Sequence, residues 1–264
     1  MTAIDAAFRR LRAERQKGLV VYLTAGDPTP AASLSYLRAA ADAGADLVEV
    51  GVPFSDPTAD GPTIEAASRR ALSAGMSVAR SLELVRAFRK THRTPVVLFG
   101  YYNPFFRYGI PGLCADARSA GVDGFLVVDL PLEETGEAVP AMRSAGLDWI
   151  PLVAPTTGAK RVRAIQRAGS GFLYLISVTG VTGVRETLPR GMAAWARDVR
   201  ETARLPVAVG FGISSPEMAR KATRHADAAV VGSACVKIVE RNGRAPRGPA
   251  ELSRFVTSLK SAMR

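Results

Sequence analysis

The sequence of 264 residues has few of the features that mark membrane, secreted or metal-binding proteins. No apolar run reaches the length of about 18 residues that a membrane-spanning helix needs, and the N-terminal segment lacks the apolar core of a signal peptide. Two cysteines, Cys114 and Cys235, are too few for a disulfide framework, and the two histidines add no metal-ligand spacing. We therefore expect a cytoplasmic protein that binds no metal and whose cysteines are buried as small hydrophobic residues.

The net charge of +11 would suit a nucleic-acid-binding protein, but its distribution argues against that function. Residues 1–17 carry +3 and residues 236–264 carry +5, which leaves only +3 for the body between them. The sequence shows no basic stripe interleaved with aromatic residues. We interpret the basic ends as solvated faces of a globular protein, with a weak attraction to anionic partners as the alternative.

Short runs of β-branched residues alternate with longer helical segments, a pattern that predicts a parallel sheet. Eight runs are candidate strands: Leu19–Leu23, Asp46–Val50, Val96–Gly100, Gly124–Val128, Asp148–Leu152, Phe172–Ile176, Val207–Gly210 and Ala228–Val231. The length and the lack of a long linker favour one (β/α)8 barrel domain over 1–264, with long loops after strands 2 and 6. An extra N-terminal helix is expected to place Ala6, Phe8 and Leu11 on or near one face. An open doubly wound sheet is the alternative, but no GxGxxG motif follows the first strand.

The segment over 46–63 joins a strand to three acidic residues. Glu49 interrupts the apolar run of the second predicted strand, and Asp56 and Asp60 follow before a helix that starts near Pro62. A buried carboxylate is costly unless it has a partner or a task, and catalytic groups of barrel enzymes lie at the carboxyl ends of strands. The spacing alone fits a structural acid and two turn-capping aspartates equally well.

Glycine-rich connections follow the sixth, seventh and eighth predicted strands. The loop over 177–190 contains two Thr-Gly pairs, which suit either a loop that approaches a ligand or a surface excursion. Small residues follow the next two strands at 210–216 and 231–234, and a short helix is predicted to begin at Ser233. In barrel enzymes these two loops and such a helix form a phosphate site, whereas glycine turns packed against the rim would use the same residues.

Seven blocks of sequence, in order, resemble those of the tryptophan synthase α subunit family. They are LTAGDP at 23–28, the run GADLVEVGVPFSDPTADGPTIEAASRRAL that starts at 44, YYNPFFRYG at 101–109, GFLVVDLPLEE at 124–134, SVTGVTG at 177–183, GFGISSPE at 210–217 and VGSACVKIVE at 231–240. The resemblance implies a barrel that cleaves indole-3-glycerol phosphate into indole and glyceraldehyde 3-phosphate, with no cofactor in this chain. It also implies a partner, a pyridoxal-phosphate-dependent β subunit that joins the indole to serine in an α2β2 complex.

The resemblance also implies roles for individual residues. Glu49 and Asp60 match the catalytic positions. We expect burial to raise the pKa of Glu49 for proton transfer at indole C3 and at the glycerol hydroxyl, while Asp60, on a more polar loop, stays ionised and holds the indole N–H. The positions around the substrate are Tyr22, Ile64, Phe99, Tyr174, Phe211 and Thr182. Thr182 matches the loop residue that closes on the catalytic aspartate. For the aromatic residues, ordinary core packing is the alternative. The phosphate-binding positions are Gly183, Gly212, Gly232 and Ser233, and those of the face that meets the β subunit are Pro53, Asp56, Asn103 and Pro131. Val178 stands where many members carry arginine, so closure of that loop is expected to use different contacts.

Three other functions stay open from the sequence. A stand-alone lyase of the same fold would release free indole for another pathway. A non-catalytic binding or activating subunit would not need Glu49 and Asp60, and both are intact. A different phosphate-binding barrel, such as a sugar-phosphate isomerase, is disfavoured by the PFSDPTADGP run.

Overall fold

A computed structural model of the chain describes residues 1–177, 191–210 and 212–263. The strands in these ranges are β1 (Gly18–Thr24), β2 (Leu47–Gly51), β3 (Val96–Gly100), β4 (Gly124–Val127), β5 (Asp148–Trp149), β6 (Leu152–Val153), β7 (Leu173–Ile176), β8 (Val207–Gly210) and β9 (Ala228–Val231). The α-helices are α1 (Ala3–Ala13), α2 (Pro30–Asp42), α3 (Pro62–Ser73), α4 (Val78–Arg89), α5 (Tyr102–Tyr108), α6 (Ile110–Ala120), α7 (Ala138–Ser144), α8 (Ala159–Ala168), α9 (Met192–Thr202), α10 (Pro216–Thr223), α11 (Ser233–Asn242) and α12 (Arg247–Ala262). In the same ranges no helix is long and apolar enough to cross a membrane.

The strands form one parallel sheet whose two ends meet. Its order is β5-β4-β3-β2-β1-β9-β8-β7-β6, and every neighbouring pair is parallel. The terminal members β5 and β6 are separated in the chain only by Ile150 and Pro151. The backbone N–H of Ile150 donates to Phe125 at 2.8 Å, and the carbonyl of Pro151 accepts from Tyr174 at 3.0 Å. The sheet therefore closes into the (β/α)8 barrel that the alternation predicts, with β5 and β6 together forming its fifth strand.

The predicted strands agree with the observed ones to within one residue at each end, except the fifth. The expected continuous strand Asp148–Leu152 is wrong, because the chain is divided there into two strands of two residues. Pro151 has no N–H with which to continue a ladder, and this explains the break. Helix α5 was not predicted; it begins at Tyr102, and only Tyr101 separates it from the end of β3.

Helix α1 closes the amino-terminal end of the barrel. Its buried residues are Ile4, Ala7, Phe8 and Leu11. These side chains join the cluster formed by inward-facing strand residues, and the ring of Phe8 lies 5.5 Å from that of Phe172. The predicted amphipathic face was wrong in one position, because Ala6 is exposed. A second and larger apolar layer fills the space between the outer side of the strands and the surrounding helices.

Four side chains at the amino-terminal rim of the barrel join its strands in pairs. Each accepts a hydrogen bond from a backbone N–H near the start of the preceding strand: Leu19 donates to Asp46 at 2.8 Å, Val96 to Asp123 at 2.8 Å, Trp149 to Ser170 at 3.1 Å and Val207 to Asp227 at 2.8 Å. We call these residues the rim acceptors. They satisfy backbone donors that no neighbouring strand reaches at the edge of the sheet.

The three aspartates among the rim acceptors are each paired with a cation. Arg89 pairs with Asp123, and Arg200 pairs with Asp227 at 2.8 Å. Asp46 is bound by Lys260 of α12 at 2.6 Å, and the Lys260 ammonium also donates to the backbone of Lys17 at 2.8 Å. Because Lys260 is buried, its charge needs these acceptors. The C-terminal helix is thereby attached to the first two strands.

Candidate active site

A cavity of about 620 Å³ opens at the carboxyl ends of the strands. Eight residues that the sequence analysis assigned to substrate, phosphate or catalysis line it: Tyr22, Asp60, Ile64, Phe99, Tyr174, Gly212, Gly232 and Ser233. These residues come from segments far apart in the sequence, and the closed barrel brings them to one rim. Thr182, Gly183, Phe211 and Val178 lie outside the described residues.

Glu49 lies in the middle of β2 and points into the barrel. Its neighbour two residues earlier, Leu47, belongs to the cluster inside the barrel, and side chains of a strand alternate between its two faces. The carboxyl group is fully buried, and in the described part of the chain neither of its oxygens has a hydrogen-bond partner. Burial raises the pKa of Glu49 to about 8, which confirms the predicted direction. At neutral pH this side chain is therefore mostly protonated.

Two cavity-lining phenols lie close to Glu49. Tyr22 is paired with Glu49 in the β1–β2 register. Burial, and after it the charge of Glu49, raises the pKa of Tyr174 well above its usual value. Burial and, after it, the charge of Asp60 also raise the pKa of Tyr22, with a smaller contribution from Glu49. Both phenols therefore stay neutral next to the carboxyl groups, and Glu49 lies just below the cavity wall that they form.

Asp60 lies at the end of the connection between β2 and α3. Gly61 caps α3 and Pro62 opens it, so the chain turns into the helix directly after the carboxylate. Burial raises the pKa of Asp60 to about 6, and a hydrogen bond from the Tyr101 hydroxyl limits that rise. Asp60 is therefore mostly ionised at neutral pH, as expected, although its surroundings are less polar than the sequence indicated.

Tyr101 is the main site residue that the sequence analysis missed. It is 3% exposed and its ring lies 5.4 Å from that of Phe54, at the start of the same connection. Its hydroxyl accepts the backbone N–H of Ala59 at 3.0 Å and donates to the carboxylate of Asp60. The position of Tyr101 directly after a barrel strand is the signal by which it could have been found.

Aromatic side chains form the apolar part of the cavity. Tyr22 and Phe99 make an edge-to-face contact with ring centroids 5.1 Å apart, and Ile64 packs against the same group. Glycines permit this arrangement, because a side chain at Gly51 would overlap the ring of Tyr22. A planar apolar group such as an indole ring fits this wall.

Another part of the cavity lining has the features of an anion site. Gly232 and Ser233 lie at the amino terminus of α11, where the first backbone N–H groups of a helix have no partner within it. The helix begins at Ser233, as predicted from the sequence. Gly212 faces the same space and has a φ of +71°, a conformation that favours glycine. Backbone donors and the helix dipole together suit a phosphate group.

The four positions expected to meet a partner differ in exposure. Asp56, Asn103 and Pro131 are exposed, and they follow the neighbouring strands β2, β3 and β4 at the carboxyl-end rim. Pro53 is buried, so its side chain does not project from this face. The apolar ring of Phe106, one turn along α5 from Asn103, is 56% exposed.

The described residues contain no group of three or more His, Cys, Asp or Glu side chains that could hold a metal ion. Asp60 lines the cavity, and Glu49 lies behind the wall that Tyr22 and Tyr174 form without lining the cavity itself. Neutral phenols, an apolar wall and backbone donors complete the site. These groups can transfer protons to and from a bound molecule that has an apolar ring at one end and an anion at the other.

Comparison with known proteins agrees with this site. The family model described as tryptophan synthase alpha chain matches residues 8–264. The tryptophan synthase alpha chain of Solibacter usitatus is 46% identical over 260 residues, which cover 98% of this chain and 97% of the relative. That of Gluconobacter oxydans is 50% identical over 249 residues, 93% of this chain and 92% of the relative.

Solved structures show the same fold. The crystal structure of the tryptophan synthase alpha chain from Legionella pneumophila has a TM-score of 0.92 and 36% identity, and the match covers 100% of this chain and 97% of that one. A structure of Mycobacterium tuberculosis tryptophan synthase has a TM-score of 0.92 and 33% identity over 100% of this chain and 98% of that one. The chain therefore belongs to the tryptophan synthase alpha chain family.

Proposed function

We propose that Glu49 and Asp60 are the acid–base pair with which this chain, as a lyase of the tryptophan synthase alpha family, cleaves indole-3-glycerol phosphate. The observation that carries the proposal is the contrast between the two carboxyl groups beside one cavity. The pKa of Glu49 is raised to about 8 and that of Asp60 to about 6, so at neutral pH one is mostly an acid and the other mostly a base.

The reaction needs two proton transfers around the bond that breaks. Protonated Glu49 donates its proton to indole C3, and Asp60 accepts a hydrogen bond from the indole N–H as positive charge develops on the ring. The resulting Glu49 carboxylate then takes the proton of the glycerol hydroxyl next to the ring. The carbon–carbon bond breaks, its electron pair returns to the indole, and the hydroxyl carbon becomes the aldehyde of glyceraldehyde 3-phosphate. Glu49 ends in the protonated state in which it began.

The other parts of the cavity bind the two ends of the substrate. Tyr22, Ile64, Phe99 and Tyr174 supply the wall for the indole, and the amino terminus of α11 with Gly212 supplies donors for the phosphate. Phe211, Gly183 and Thr182 are proposed to complete these two sites from the sequence resemblance. Binding of the substrate at both ends holds the scissile bond beside the carboxyl groups.

The chain is proposed to act as a single barrel domain that works with a β subunit in an α2β2 complex. The exposed residues Asp56, Asn103 and Pro131 support this, since they lie together at the rim that also carries Asp60. The chain has no cofactor of its own in this scheme. Pyridoxal phosphate belongs to the β subunit, where it supplies the chemistry that joins indole to serine.

The test is the release of indole from indole-3-glycerol phosphate by purified variants. Glu49→Gln and Asp60→Asn should each lower the rate at least about 100-fold, the scale of positioned acid–base groups. The matched control is Glu83→Gln, on the exposed side of α4, which should keep the wild-type rate. Circular dichroism establishes that each variant is folded. Near-normal cleavage by either active-site variant would remove that residue from the mechanism.

A further inference from the structure

Arg70 of α3 makes a cluster of ion pairs outside the cavity. Its Nε and Nη2 atoms donate to the two carboxylate oxygens of Asp27 at 2.8 and 2.9 Å, in the parallel two-bond geometry that only a guanidinium provides. Its Nη1 atom donates to Glu240 at 3.0 Å. Asp27 is 3% exposed, whereas Arg70 and Glu240 are partly open to solvent.

These three residues come from the three segments that border the cavity on one side. Asp27 lies in the connection after β1, the strand that carries Tyr22. Arg70 lies on the helix that follows Asp60, and Glu240 lies on α11, whose first residue is Ser233. One guanidinium therefore joins the segment beside the indole wall, the helix behind the catalytic acid and the helix at the phosphate site.

The two helices also touch through apolar side chains. Ile64 and Ala67 of α3 pack with Val236 of α11, and Tyr22 lies in the same cluster. These contacts are apolar and include no directional hydrogen bond between the two helices. The hydrogen bonds of Arg70 are directional and fix the relative position of the helices.

The buried carboxylate makes this arrangement depend on Arg70. Burial raises the pKa of Asp27, and the hydrogen bonds from Arg70 act in the opposite direction. Without a cation Asp27 would either take up a proton or draw in water, and the connection after β1 would move. Lysine would keep the charge but would lose the second parallel hydrogen bond.

We propose that Arg70 is a positioning residue that fixes the separation between Ile64, the part of the indole wall that lies on α3, and the phosphate site at the start of α11. It thereby selects ligands in which the ring and the phosphate are a set distance apart. Arg70 does not line the cavity, so it acts through Asp27 and Glu240 and not by contact with substrate. The inference rests on the proposed function, because it takes the cavity to bind an indole at one end and a phosphate at the other.

The test compares a linked ligand with its separate parts. The probes are indole, inorganic phosphate and an indole joined to a phosphate by a three-carbon chain, with affinities measured by calorimetry or fluorescence. In Arg70→Lys, the linked probe should bind about 10-fold more weakly, since a small misplacement is felt only by a ligand that spans both sites. Indole and phosphate alone should each change less than about 2-fold.

Two controls separate positioning from loss of structure. Arg69→Ala removes the neighbouring exposed arginine, which pairs with Glu65 at 3.0 Å, and it should leave all three affinities unchanged. Glu240→Ala keeps the buried Asp27–Arg70 pair and removes only the acceptor on α11, so it should weaken the linked probe in the same selective way.

Two results would overturn the inference. One is unchanged binding of the linked probe by Arg70→Lys, and the other is an equal loss for all three probes. Failure of the wild-type chain to bind the linked probe more tightly than its parts would instead contradict the proposed function.

Discussion

Glu49→Gln should make the protein more resistant to unfolding at alkaline pH while it lowers the rate of cleavage at least about 100-fold. Burial holds the pKa of Glu49 at about 8 in the folded chain, against an ordinary value of 4.5. Between pH 4.5 and pH 8, therefore, Glu49 keeps its proton in the folded state but has lost it in the unfolded state. Stability from this group is fully present below pH 4.5 and is lost as the pH rises through 8.

The size of the effect follows from the two pKa values. Each unit of difference corresponds to about 1.4 kcal/mol, so ionising Glu49 in the folded chain costs roughly 5 kcal/mol by pH 9. Relaxation and water entry reduce this figure, which is an upper bound. Glutamine cannot ionise, so the variant avoids the cost. The amide of glutamine also lacks hydrogen-bond partners, but the free-energy cost of burying it is the same at every pH.

The assay is urea unfolding of wild type and Glu49→Gln between pH 5 and pH 9. The free energy of unfolding of the variant minus that of wild type should rise across this range by roughly 2 to 4 kcal/mol. The difference cancels the titration of the other groups. Glu83→Gln, an exposed change of the same kind, should give a flat difference. A flat difference for Glu49→Gln as well would show that Glu49 is not held neutral by burial.

Three further predictions concern the acid, the phosphate and the partner. Tyr101→Phe removes the hydrogen-bond donor to Asp60, so the pKa of Asp60 should rise by about one unit. The acid limb of the pH profile of kcat/KM should then shift to higher pH by the same amount, and an unshifted limb would contradict this assignment. Ser233→Asp should weaken binding of indole-3-glycerol phosphate at least about 10-fold by charge repulsion, but should hardly affect binding of an analogue without phosphate. Equal losses of affinity for the two ligands would mean that the phosphate site is misplaced. A β subunit should speed cleavage about 10-fold or more, a coupling of about 1.4 kcal/mol, and Asp56→Ala should reduce that ratio in a rate titration. No response of the wild-type chain to a β subunit would favour a stand-alone lyase.

The barrel could be predicted because its signal is local and repeated. Alternating strand and helix patterns needed no knowledge of contacts, and the burial of Glu49 follows from its place between apolar strand residues. The break at Ile150–Pro151 was equally visible in the sequence, since proline removes a ladder donor. It was missed because the surrounding residues have strong strand character.

The parts that could not be predicted depend on residues distant in sequence. The raised pKa of Asp60 results from its burial and from Tyr101, which lies on another strand connection. Pro53 looked like a surface residue of a loop, yet the fold buries it. Arg70 gave no sign of its role, because Asp27 is 43 positions away and Glu240 is 170 positions away. Spacing within one segment carries no information on such contacts.

The rim acceptors divide the strands of the barrel into four hydrogen-bonded pairs. Each of these hydrogen bonds lies within one pair of consecutive strands of the eight-strand ring, and none joins one pair to the next. A cut at the exposed Gly136 would therefore leave two half-barrels, each with two complete pairs and all of their rim bonds. The segments before β1 and after β9 meet at another such boundary, where Lys260 of α12 binds Asp46 and the backbone of Lys17. A circular permutant that starts at Gly136 would keep every one of these rim hydrogen bonds.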